Sequence, residues 1–251
     1  MTGRLTAAAM MAAIGLIAAA CDRTETSSAA VTSTSPAGAS AAPSSAAASH
    51  RNEALMRVVN AAPSSSNFDL YAGDLLFFDG LGFKAITPYR AIDGKRYAFA
   101  LRPAGMSQAT PLSSNTEDLK NGDFYTAFAM PGDGPAPHLR IVSDHLDSPA
   151  SGKARLRVVH AAVDAGHIQL RGSGTADPLF DDVDYQTVSG YKDVAPLNGM
   201  VEVRGSDQRS PVLATVTAHL EAGRFYTLVI VGGAHATPKL EAFLIEDALT
   251  P

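Results

Sequence analysis

With 251 residues, of which 46% are hydrophobic and 18% charged, the chain is long enough to bury one large core or two of ordinary size. Its formal net charge of −5 and the lack of any lysine-arginine run exclude the basic footprint of a nucleic-acid binder. A single cysteine excludes an internal disulfide and a cysteine-built zinc site.

The chain opens with Arg4 as its one early charge, then runs without charge from Leu5 to Ala20 and meets Cys21. A short positive start, an apolar stretch and small residues before the cut describe a signal peptide over 1–20. The apolar stretch falls short of the roughly 20 residues a membrane span needs. Leu16-Ile17-Ala18-Ala19-Ala20-Cys21 resembles the lipobox of bacterial lipoproteins, whose cysteine is diacylated on sulfur and becomes the new N-terminus. It departs from that pattern in carrying Ala18 three places before the cysteine, with Ile17 one place further out. The resemblance implies a lipid at Cys21 and a protein held at a bacterial membrane, periplasmic or surface-exposed. From Asp22 to His50 the composition narrows to Ala, Ser, Thr, Pro and Gly with Val31 as the only branched aliphatic, which cannot form a core. Residues 21–52 are therefore read as the anchor followed by a disordered linker, about 29 residues of coil with a root-mean-square span of about 30 Å.

Beyond the linker the apolar runs are short, rich in Val, Ile, Phe and Tyr, and separated by Gly, Pro, Asn and Asp, which predicts strands. In chain order these are 56–59, 97–101, 124–130 and 139–142, then, after the Ser148-Pro149-Ala150-Ser151-Gly152 break, 156–159, 200–203, 212–216, 225–231 and 240–245. The two halves repeat each other. Arg57-Val58-Val59-Asn60-Ala61-Ala62 returns one hundred residues later as Arg157-Val158-Val159-His160-Ala161-Ala162. Phe83 through Tyr89 matches Tyr185 through Tyr191, Leu119 through Thr126 matches Leu220 through Thr227, and Asp144 matches Asp247. The prediction is all-β: two tandem immunoglobulin-like, Greek-key β-sandwich domains over 53–148 and 153–250. Within them, Leu119-x-x-Gly122-x-x-Tyr125 and Leu220-x-x-Gly223-x-x-Tyr226 read as tyrosine corners, in which a phenol satisfies backbone of the crossing loop. Tyr125 and Tyr226 are thus assigned structural roles.

The same motifs resemble the exported bacterial and archaeal family named domain of unknown function 4397, over about residues 54–249. They are the Arg-Val-Val-His-Ala-type start, the turn before Tyr89 and Tyr191, and the Gly-x-x-Tyr-Thr strand. The resemblance implies an exported β-sandwich and supplies no activity. The loop after the first strand departs from the family's His-Ala-Ser-Pro-Asp-Ala-Pro: one copy reads Asn60-Ala61-Ala62-Pro63-Ser64-Ser65-Ser66, the other His160-Ala161-Ala162-Val163-Asp164-Ala165-Gly166.

Candidate chemistry is sparse. His160, Asp164 and His167 form a weak metal-ligand candidate, although the first repeat has Asn60, Ser64 and Asn67 there. Asp181-Asp182-Val183-Asp184 offers oxygens without an EF-hand's glycine and glutamate. No Gly-x-Ser-x-Gly elbow is present, and Gly172-Ser173-Gly174 lacks the context of a phosphate loop. The expectation is a non-catalytic envelope lipoprotein without cofactor or metal, bound to membrane through Cys21, with an envelope protein or glycan as partner and no nucleic acid. The alternatives are an exported hydrolase with a site between the domains and a plain structural spacer.

Overall fold

The computed structural model describes residues 52–63, 66–175, 177–207 and 210–247; the leader, Cys21 and the Ala/Ser/Thr/Pro segment lie outside them. The described residues form sixteen strands and no helix. In the first repeat these are β1 (Ala54–Asn60), β2 (Phe68–Ala72), β3 (Leu75–Leu81), β4 (Arg90–Ile92), β5 (Arg96–Pro103), β6 (Ser113–Asp118), β7 (Phe124–Pro131) and β8 (Pro137–Asp144). In the second they are β9 (Ala154–His160), β10 (Ile168–Gly172), β11 (Phe180–Val183), β12 (Lys192–Val194), β13 (Leu197–Gly205), β14 (Val212–Leu220), β15 (Phe225–Val231) and β16 (Glu241–Glu246).

Each repeat is a sandwich of two four-stranded sheets, in the orders β4-β1-β7-β8 and β3-β2-β5-β6, repeated as β12-β9-β15-β16 and β11-β10-β13-β14. Most neighbours are antiparallel, but β1 runs parallel to β7, and β9 to β15. The first core is closed by Met56, Val58, Leu70, Phe99 and Leu101; the second by Leu156, Val158, Ile168, Leu170 and Leu228. The strands of the outer sheets show the alternation of half-buried surfaces: β6 is exposed at every second residue. Gly73, at φ +61°, makes the two-residue turn from β2 to β3, a conformation that costs a glycine nothing.

β1 behaves differently, with all seven residues buried. Its sheet is covered on both faces. Alternate residues point to opposite sides of a strand, so Ala54, Met56 and Val58 enter the repeat's own core while Arg57 and Val59 face the other way. There a third core joins the repeats: Val59, Ala61, Phe128 and Met130 pack with Val159, Ala161, Val188, Val229, Val231 and Ile245. The described residues all fall within one compact unit.

Like ends of the two repeats lie together. β1 and β9 start, and β16 finishes, at one end, where Gly122 N–H donates to Glu53 O, Gly223 N–H to Lys153 O and Asp247 N–H to Phe225 O. At the other end the Gln186 side chain reaches across the seam to Pro131 O at 2.9 Å. That second end carries most of the longer connections, among them 104–112, 161–167 and 232–240, whereas the first carries several short turns such as 73–74 and 221–224 beside the 145–153 and 173–179 segments.

Candidate functional site

A cluster of buried charged and hydroxylic groups sits on the seam between the repeats. Arg57 Nε donates to Thr126 Oγ1 at 3.0 Å, both from the first repeat, and its Nη2 pairs with Asp247 Oδ1 of the second. Arg157 repeats the pattern in reverse: Nε donates to Thr227 Oγ1 at 2.7 Å, and Nη1 to Asp144 Oδ1 at 2.5 Å. Each aspartate takes its remaining bonds from its own repeat. Asp144 Oδ2 accepts from Thr126 (2.6 Å) and Tyr89 (2.7 Å), and Asp247 Oδ2 from Thr227 (2.6 Å) and Tyr191 (2.8 Å). The guanidinium groups of Arg57 and Arg157 stack on the Tyr89 and Tyr191 rings at 4.8 and 4.7 Å. Both aspartate side chains are fully inaccessible.

Burial opposes the charge on Arg57, but Asp247, Tyr89 and Asp144 outweigh it and hold its pKa above the ordinary arginine value. Arg157 is raised in the same way, burial being outweighed by Asp144, Tyr191 and Asp247. The phenols respond as donors to carboxylates must. Burial first and then Asp144 push Tyr89 up against the pull of Arg57, and burial followed by Asp247 pushes Tyr191 up against Arg157. Two positive and two negative groups are thus closed off together, each ion pair joining one repeat to the other. Chemically the arrangement is a clasp. Its groups are consumed by one another, and Phe128 and the valines of the third core fill the space around it.

The residues singled out from the sequence fall elsewhere. The Tyr125 hydroxyl accepts the Lys120 N–H at 3.0 Å, and Tyr226 accepts the Glu221 N–H at 3.1 Å, each five residues upstream across the glycine turn. His160, Asp164 and His167 are not brought together as a ligand set. His160 is fully buried, with Nδ1 accepting the Ala162 N–H (3.3 Å) and Nε2 against Gly166 O (2.8 Å). Asp164 binds the Ala234 and His235 N–H groups, and the exposed His167 pairs with Asp182 and Asp184 at 2.9 and 3.0 Å. Among the described residues no group of three His, Cys, Asp or Glu is placed to hold a metal ion. A shallow cleft of about 190 Å³ opens at the long-loop end of the seam, lined by Ala62, Pro63, Phe68, Pro135, Pro137 and Val163 among others.

His160 has a counterpart in Asn60. Asn60 Oδ1 accepts the Ala62 N–H at 3.0 Å and Nδ2 donates to Leu81 O at 3.1 Å. Both side chains offer one acceptor to the residue two ahead and one donor to a carbonyl, which is why Asn and His interchange at this motif position. Burial holds the His160 pKa below 6.5, so the unfolded chain takes up the proton first. The stability due to neutral His160 is fully present above pH 6.5 and declines as the pH falls below it. His160→Asn is expected to remove that slope in urea titrations taken across this range, and His160→Ala to cost about 2–3 kcal/mol by leaving two buried groups unpaired. An unchanged slope in the asparagine variant would show that His160 does not titrate as described.

The fold and the clasp together define a class: paired all-β sandwich repeats locked face to face by reciprocal ion pairs. The profile of the domain of unknown function DUF4397 matches residues 54–171 and 174–251, and the chain belongs to that family. The clasp residues Arg57, Arg157, Tyr89, Tyr191, Thr126 and Thr227 occupy the motif positions through which the family is recognisable in the sequence. No curated protein matches. Among solved structures, the C-terminal domain of AlgF from P. aeruginosa is 20% identical, covering 38% of this chain and 98% of that one at a TM-score of 0.28. A streptococcal virulence factor described as binding α-glucan is 12% identical, covering 72% of this chain and 93% of that one at a TM-score of 0.24.

Proposed function

We propose that the protein is a lipid-anchored lipoprotein of the bacterial cell envelope whose paired sandwiches form a rigid, non-catalytic module that presents loops to an envelope protein or glycan. The observation that carries the non-catalytic part is the clasp: the motif's charged and hydroxylic side chains bond to one another, with both ion pairs buried and Tyr89 and Tyr191 half-buried at their margin. A hydrolase acting between the repeats would need substrate and water on a face that Phe128, Met130, Val159 and Val229 occupy at zero exposure. The anchoring part rests on the leader, on Cys21 and on the composition of the segment that follows.

Expression in a bacterial host, wild type beside Cys21→Ser, tests this. The wild type is expected to carry the diacylglyceryl mass and to follow the detergent phase, and the variant to be unacylated and aqueous. Equal masses and equal partitioning would end the lipoprotein reading and leave a freely exported pair of sandwiches.

A further inference from the structure

The seam is built from the same residues twice. One face offers Arg57, Asp144, Thr126 and Tyr89 around Val59 and Ala61; the other offers Arg157, Asp247, Thr227 and Tyr191 around Val159 and Ala161. Every face carries one guanidinium seeking the opposite carboxylate and one carboxylate seeking the opposite guanidinium. A first-repeat face meets the charge requirement of any second-repeat face, whether or not the two belong to one chain.

The covalent link between the repeats is slight. Residues 145–153 form no strand and are mostly exposed, and their side of the structure is held by contacts such as Ala150 N–H to Asp193 at 3.3 Å and Arg155 to His145 O at 3.5 Å. Both ends of this segment lie at the same end of the molecule. The pairing within one chain is therefore favoured chiefly by the high local concentration a short linker confers. We infer that the clasp face is a docking surface for a second copy of this chain: two chains can exchange repeats, the first of each closing on the second of the other, with both ion pairs rebuilt in every seam. Exchange of an identical element adds no new interface and loses none. Two chains held at one membrane surface would meet at a raised local concentration that favours it.

The test uses the full chain in the Cys21→Ser background, so that acylation plays no part. Deleting residues 145–152 leaves Lys153 as the only link between Asp144 and Ala154. That link reaches about 7 Å, against about 10 Å between facing sheets, and the repeats can no longer close on each other within one chain. The shortened chain is expected to run in size-exclusion chromatography with light scattering at twice the mass of its parent, as a discrete species. Adding Asp144→Asn and Asp247→Asn to it should weaken that dimer by well over about a hundredfold, since each of its two seams loses the charged partner of both buried guanidinium groups. A shortened chain that stays monomeric, that yields only heterogeneous aggregates, or whose dimer is indifferent to the two asparagines overturns the inference.

Discussion

Asp144→Ala is expected to lower the free energy of unfolding by about 3–5 kcal/mol, the range for removing one partner of a buried pair and leaving the other charge uncompensated. The carboxylate accepts from Arg157, Thr126 and Tyr89 at once, and the arginine side chain it leaves behind is 2% exposed. The effect has a distinctive distribution. Asp144 belongs to the first repeat and Arg157 to the second, so the urea midpoint of the whole unit should fall in one transition. Replacing both partners with apolar residues, Asp144→Leu with Arg157→Met, should recover much of the loss, because a buried pair is worth little net beside apolar side chains of similar volume. The coupling energy of the complete double-mutant cycle isolates the pair from its surroundings. A loss below about 1 kcal/mol for the alanine variant, the range of exposed pairs, would mean that the seam is open to water in solution.

Phe128→Ala is expected to cost a similar about 3–5 kcal/mol, from lost apolar contact and the cavity left behind. Phe128 lies on β7 between Ala127 and Ala129, which face the first repeat's own core, and it points instead into the third core beneath the Arg157 guanidinium at 5.4 Å. Phe99→Ala provides the comparison, since Phe99 is equally buried but belongs to the first repeat's core alone. Hydrogen exchange should separate them: Phe128→Ala lowers protection in β7 and also in β9 and β15, and Phe99→Ala chiefly in the first repeat. Equal and purely local losses would contradict the shared core.

The tyrosine motif was legible in the sequence because it is local: Tyr125 and Tyr226 bond to backbone five residues away, across a glycine turn that the spacing displays. The central strands were legible for a related reason, since β7 and β15 are apolar almost throughout and β1 and β9 each carry a Val-Val core beside their arginines. The outer sheets were harder to read. β6 is Ser113-Ser114-Asn115-Thr116-Glu117-Asp118, an edge strand with almost no apolar content, and its extended form comes from the register it shares with β5. β4 and β12, at three residues each, are too short to show a period.

The clasp was half visible. Arg57 and Arg157 stand out as charges inside apolar strands, and the repeat alignment also marked Tyr89, Thr126, Asp144 and their partners. What no local pattern carries is that Arg57 reaches Asp247, 190 residues away, in preference to the aspartate of its own repeat. His160 drew attention as a metal ligand because imidazole is rare and conspicuous. Its equivalence to Asn60 becomes apparent only when both are seen to fix the same turn.

The parallel pairing of β1 with β7 sets how the molecule bears load. β1 is flanked by β4 and β7 and registers with β7 from Leu55 through Asn60. A pull applied at the N-terminal end of β1, against resistance from the long-loop end, acts along the strand. Its backbone hydrogen bonds are then loaded together in shear, whereas a strand drawn sideways from a sheet edge gives way one bond at a time. Six registered pairs must yield at once before β1 slides, and Arg57 must leave Asp247 in the same event. A chain tethered ahead of β1 is gripped at the strand where a steady tension does least to unzip it.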